Sequence, residues 1–153
     1  MLDNRYIFDI SPDVLTFEFD SVGPNGTVAK VVRYTEVNIK NFYNLGFGDK
    51  DPQSGYISDL SITNNNDSQK VLATVARTLY VFTEQYPEAI VFAAGSTLAR
   101  TRLYRMGITT NLAAIEQDFK ILGLTTDQEW EPFRKNVTYH AFSVQRKAKT
   151  NQP

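Results

Sequence analysis

The 153-residue chain has no cysteine, one histidine, one tryptophan and two methionines. Without cysteine there is no disulfide scaffold, no thiolate nucleophile and no cysteine zinc site. The same absence fits a reducing compartment, and a cytoplasmic location is expected. His140 has no second histidine to join it, so a transition-metal site has little support and no metal is expected. No window approaches the roughly 20 apolar residues of a membrane helix. The opening "MLDNRYIFDISPD" carries acidic residues and no long apolar run, which does not read as a signal peptide. Charge of one sign is also lacking: 16 basic against 17 acidic residues leave a net charge of −1. No overall field therefore draws the chain to nucleic acid or acidic lipid, and neither a nucleic acid nor a membrane is an expected partner.

What is present is an ordinary globular balance, 42% hydrophobic and 22% charged, in a length that suits one domain with a real core. Residues 1–147 read as a single α+β domain and 148–153 as a flexible tail. "LTFEFDS" (15–21) alternates Leu15, Phe17 and Phe19 against polar neighbours, the period of a half-buried strand. "GPNG" (23–26) is turn chemistry, and "TVAKVVRYTEV" (27–37) completes a hairpin. Strands are also expected at 40–49 and 56–63, with a loop between them. In 64–87, Val71, Leu72, Val75, Leu79, Phe82 and Tyr86 recur at helical steps, which predicts the long helix, with Asp67 or Ser68 as its cap and Pro87 as its stop. "AIVFAAG" (89–95) is a continuous apolar run, expected as an interior strand buried on both faces and parallel to the strand before the long helix. Short helices follow at about 98–106 and 111–119. Strands are predicted at 119–124 and 139–147, with 125–133 as a loop. The result is a mixed, largely antiparallel sheet with one long and one or two short helices.

That order is similar to the GNAT superfamily of N-acyltransferases from their second strand onward. Leu103-Tyr104 and Gly107-Ile108 resemble the Leu-Tyr…Gly-Phe pattern on the helix after the fifth GNAT strand, with the spacing shortened by one. "YHAFSVQRK" resembles a GNAT terminal strand. Taken together, the Asn-rich turn, "KVLATVA", "GST-ARTRLYR" and the Trp-Glu-Phe stretch also resemble an uncharacterised family of small bacterial proteins. The GNAT resemblance implies an acyl-CoA-dependent N-acyltransferase, with Tyr104 as general acid and acetyl-CoA near Asn66 and Ser68 at the start of the long helix. Asp59, or else Asp49, is a candidate base, the plainer reading of either being a strand-end or surface carboxylate. GNAT cofactor loops carry glycines that let backbone N–H groups reach a pyrophosphate. Here "TNNNDSQK" (63–70) has no glycine, and Asp67 adds a negative charge. The two helices ahead of the second GNAT strand have no counterpart in the 14 residues before Leu15. These departures predict weak or absent acetyl-CoA binding. They also favour a reading of another class, a non-catalytic interaction or anion-binding module with a protein or small anionic ligand as partner.

A second candidate site starts at "AAGSTLARTRLYRMGI" (93–108). Ser96, Thr97 and Arg100 open a helix at the carboxyl end of a buried parallel strand, where ligands of open sheets tend to sit. Hydroxyls, a guanidinium and helix-start N–H groups can hold a phosphate there. The plainer alternative is a capped helix with solvated arginines. On this helix Ala99, Leu103 and Met106 share a face, which is expected to pack on the sheet. Tyr34, Phe42, Tyr43, Phe47 and Tyr56 read either as core or as an exposed stacking platform, and Asp49 as a strand-end carboxylate.

Overall fold

The computed structural model describes residues 3–58, 63–95 and 97–148. The chain runs β1 (Asp9–Ile10), β2 (Thr16–Gly23), β3 (Gly26–Glu36), β4 (Phe42–Asp49), α1 (Ser68–Gln85), β5 (Ile90–Ala93), α2 (Leu98–Thr110), α3 (Leu112–Ile115), β6 (Phe119–Leu124), β7 (Trp130–Pro132) and β8 (Ala141–Arg146). The strands form one eight-stranded sheet in the order β1-β2-β3-β4-β5-β8-β6-β7. The pairs are antiparallel except β4–β5. This is the mixed, largely antiparallel α+β architecture that the periodicities predict. None of the described helices is long and apolar enough to cross a membrane.

Alternation decides which face is covered. Phe17 and Phe19 of β2, Val32 and Tyr34 of β3, and Tyr43, Leu45 and Phe47 of β4 all point to one side and are buried. α1 lies on that side and seats Val71, Val75, Leu79 and Phe82 against the strands, each such burial stabilising by roughly 1.5–3 kcal/mol. The Phe82 ring stacks on Tyr34 at 4.0 Å, and the Tyr34 hydroxyl pairs with Thr78 of α1 at 2.9 Å. Of the aromatics read as core or platform, Tyr34, Tyr43 and Phe47 are core. Phe42 lies on the opposite face, stacked on Phe92 at 5.4 Å. Tyr56 is exposed, with the Arg33 guanidinium over its ring at 4.6 Å.

Several expectations are corrected. The parallel partner of β5 is β4, not a strand at 56–63. The described part of that segment makes only an isolated bridge, Lys50↔Ile57, and 59–62 lie outside the described residues. Ile57 spends its side chain covering Gly46 instead of extending a ladder. β5 is interior as expected, but it is buried on one face only. Val91 and Ala93 enter the core, while Ile90 and Phe92 stay half-exposed, because the described helices pack on the other side. Residues 125–133 contain β7, which pairs with β6. Three residues ending in proline are too short for alternation to register, and the same holds for two-residue β1. α2 continues to Thr110 and packs through Thr101, Tyr104 and Ile108. Ala99 and Met106 are exposed and Leu103 is half-buried, so the sheet-facing side is not the predicted one. Of the expected tail, only Ala148 is described.

Candidate functional site

β5 delivers the chain to the start of α2 through Gly95. A Cβ there would fall 2.4 Å from the Arg100 Cβ and from the Thr101 backbone nitrogen, so only glycine allows so close an approach. Thr97 is the N-cap, and its hydroxyl accepts from the Arg100 N–H at 3.2 Å. The Thr101 hydroxyl accepts from the Gly95 N–H at 3.1 Å. The Arg100 guanidinium turns to the Ser58 carbonyl, 2.5 Å from Nη2. Thr97 and Arg100 thus meet as a cap and its amide, while the guanidinium fastens the 56–58 segment. Ser96 lies outside the described residues. Arg102 is exposed and Arg105 half-buried. Among the described residues, none of these three arginines pairs with an acid.

The start of α1 is built differently. Asp67 occupies the N-cap position but makes no capping bond, which corrects the expectation that it or Ser68 caps the helix. Its Oδ2 instead accepts from the Tyr6 and Ser21 hydroxyls, each at 2.5 Å. Those bonds strap the N-terminal segment and β2 to the helix start. Asn66 has a positive φ of 62° and is exposed, with its N–H on the Asn64 side chain. Ser68 is exposed on the first turn.

Beside Ser68 lies an outer cleft of about 250 Å³. Lys30, Thr63, Asn64, Asp67 and Ser68 form its polar end, and Phe47, Val71, Leu72, Leu103 and Met106 its apolar wall. Lys30 is 1% exposed. Its Nζ donates to Asp49 Oδ1 at 2.5 Å and to the Thr63 carbonyl at 2.8 Å. Asp49 Oδ2 accepts from the Thr63 N–H and hydroxyl. Burial by itself would raise the Asp49 carboxyl. The Lys30 ammonium and the two Thr63 donors outweigh that and hold it below the usual aspartate value. Asp49 is therefore a strand-end carboxylate, but one sealed in an ion pair.

β4 and β5 pair from Phe42↔Ile90 to Asn44↔Phe92, and Tyr104 of α2 reaches β4 just past that ladder. Its hydroxyl donates to the Leu45 carbonyl at 3.3 Å and receives the Phe47 N–H. Burial raises the phenol, the Arg100 charge and the Phe47 N–H draw it back, and it settles at about 12. Tyr104 thus keeps its proton at neutral pH. Of the two candidate bases, Asp59 lies outside the described residues and Asp49 is held in the ion pair with Lys30. His140 is exposed. Among the described residues, no group of three or more His, Asp or Glu is placed to hold a metal.

Lys30 escaped the reading of the sequence, although a signal was there. It alternates in phase with Val32 and Tyr34, and Asp49 with Phe47 and Leu45, which puts two opposite charges on inward positions of neighbouring strands. A family model extends over this whole arrangement, from residue 2 to residue 147. The chain belongs to the family of unknown function DUF6934. No curated protein and no solved structure matches it.

Proposed function

We propose that this DUF6934 chain is a GNAT-like binding domain, non-catalytic, whose ligand is a small amphiphile held in the outer cleft. The observation that carries this reading is the composition of the cleft, which joins a polar end at Lys30 and Ser68 to a hydrocarbon wall from α1 and α2. The charge balance selects the head group. Lys30 is matched by Asp49, and Asp67 adds a second carboxylate, so the cleft favours a neutral, amide- or hydroxyl-bearing chain over a polyanion. Acetyl-CoA fits through its amide arm and gains nothing from its phosphates. The GNAT-like part of the reading is supported by the interior parallel β4–β5 pair and by the Tyr104 hydroxyl of α2 bonded to β4 beside it.

The transferase reading draws on one specific observation, Tyr104 beside that pair with its proton retained. Against it, the hydroxyl is already bonded to β4 and is nearly closed off. A small anion held by Thr97 and Arg100 is the weaker module reading, since both groups are already engaged.

Calorimetric titration separates these readings. Pantetheine, which lacks the nucleotide phosphates, is expected to bind at least as well as acetyl-CoA, and Leu103→Arg to abolish both by placing a charge on the apolar wall. Tight acetyl-CoA binding, with transfer to an amine that is lost in Tyr104→Phe, would replace the binding-domain reading with the enzyme.

A further inference from the structure

The face of the sheet turned away from the helices is finished in two ways. Over β3 and β4 it is covered by residues 50–58. Val31 is fully buried there, Ile57 sits on Gly46, and Arg33 lies over the Tyr56 ring. Over β5, β8, β6 and β7 the outward side chains stay partly open to solvent although they are apolar. Ile90, Phe92, Leu122 and Leu124 are half-buried and Trp130 is exposed. The Phe92 ring packs on Phe42 at 5.4 Å and on Trp130 at 5.9 Å. Of the outward positions on β4, β5, β8, β6 and β7, only Lys120 is charged. An antiparallel sheet face that meets water carries polar residues at such positions, so this half is built to be covered.

Charge decides what covers it. A strongly acidic or basic partner finds no complementary field on this patch to steer or hold it. A second copy of the chain brings the same uncharged surface, and obligate homodimer interfaces are of this apolar kind. The register supplies an axis. Val37, Phe42 and Lys120 lie in one row across the strands, Phe92 and Leu122 in the next, and Gly46 and Trp130 in the third. A two-fold axis along the middle row turns the first row onto the third. Phe92 and Leu122 then meet their own copies. Lys120 comes beside the partner's Trp130, within reach of its ring face. The ridge of Tyr56 and Ile57 over Gly46 settles on the partner's Val37 and Phe42. Val37, Tyr56 and Trp130, all exposed in the single chain, each gain a neighbour.

We infer that the uncovered half of this face is the interface of a two-fold homodimer, with the axis along the row of Phe92 and Leu122. The cleft beside Ser68 is on the helix side and stays open in the dimer, so the inference does not depend on the ligand proposed for it.

Analytical ultracentrifugation of the full chain tests the association. The wild type is expected to sediment at twice its chain mass of 17.3 kDa. Phe92→Glu sets two carboxylates together on the axis and is expected to weaken the dimer at least about thirtyfold, with an unchanged far-UV circular dichroism spectrum. If Phe92→Glu fails to fold, Trp130→Glu at the exposed rim is read in its place. Leu98→Glu, which charges an apolar side chain exposed on α2, is expected to leave the dimer intact.

Isotope-filtered NMR on a mixture of labelled and unlabelled chains tests the axis. The Leu122 methyls are expected to show intermolecular contacts to their own copies and to the Phe92 ring. A wild type that stays monomeric at every concentration would overturn the inference. So would a dimer that Phe92→Glu and Trp130→Glu leave intact, one that Leu98→Glu weakens as much, or intermolecular contacts confined to the helices.

Discussion

The two long helices begin in opposite ways. α2 has a local closure, in which Thr97 caps the Arg100 amide and Gly95 lets the chain turn tightly onto it. α1 has none. Its cap residue Asp67 bonds to Tyr6 and Ser21, 61 and 46 residues away in sequence, and the ion pair of Lys30 with Asp49 secures the neighbouring segment at Thr63. The sequence advertises a site at the first start, with its Gly-Ser-Thr and arginines, yet the Gly95 and Arg100 amides and Arg100 Nη2 already have partners within the chain. It discourages one at the second, with an aspartate and no glycine, yet the cleft is there. The stretch that looks most like a ligand loop is the one that satisfies itself, because short-range capping partners are available without any ligand.

The sharpest way to break the contrast is to remove Lys30. Lys30→Met strands Asp49 as a buried unpaired carboxylate, and urea unfolding is expected to show a loss of about 3–5 kcal/mol. Lys30→Met/Asp49→Leu is expected to recover most of it, since an apolar pair of similar volume needs no compensation. A double variant as unstable as the single would mean that the Thr63 contacts, not the charge pair, carry the effect.

A smaller loss belongs to the α2 start. Gly95→Ala forces Arg100 and Thr101 away from β5 and is expected to cost about 1–3 kcal/mol, read as a lowered unfolding midpoint with faster hydrogen exchange confined to α2. Below that stands the cap itself. Thr97→Ala is expected to cost about 1 kcal/mol. Asp67→Asn, which keeps a side-chain oxygen for Tyr6 and Ser21 and loses no cap, should stay within about 0.5 kcal/mol. Equal losses in the two variants would erase the distinction between the helix starts.

The last effect is pH-linked. The Asp49 carboxyl lies lower in the folded chain than its ordinary value of 3.8. Its contribution is therefore fully present above that value and is lost as pH falls through the depressed folded one. The stability difference between the wild type and Asp49→Asn is expected to shrink on acidification below about pH 4. A difference that stays constant or grows would mean that the carboxyl is not held down. The comparison with Asp49→Asn is needed because Asp13 and Glu131 are also lowered, through their own hydrogen bonds.

Much of the sheet was legible in the residues. Phe17 and Phe19, Val32 and Tyr34, and Leu45 and Phe47 alternate strictly, and each pair lands on the buried face. The helical steps from Val71 to Phe82 set α1 to within a few residues. β7 and β1 were not legible, because a pairing of two or three residues comes from the neighbouring strand and not from a pattern of its own. α2 was misread in orientation. Its buried face runs through Thr101 and Tyr104, a hydroxyl and a phenol, while Leu98 is 84% exposed. Hydrophobicity alone pointed to the wrong side, because the polar atoms on the true side find backbone partners at Gly95 and Leu45.

The candidate site divides along the same line. By itself the sequence determined a cysteine-free α+β domain, an interior β5, a long α1 and an α2 led by Ser96 or Thr97, all of which follow from periodicity and local capping within a few residues. Only the tertiary structure decided that Tyr104 bonds to β4, that Asp67 at the α1 start is tied to Tyr6, and that Lys30 meets Asp49 nearby. Those contacts join residues 19 to 61 positions apart. Their geometry depends on how the sheet and helices pack, which no local pattern encodes.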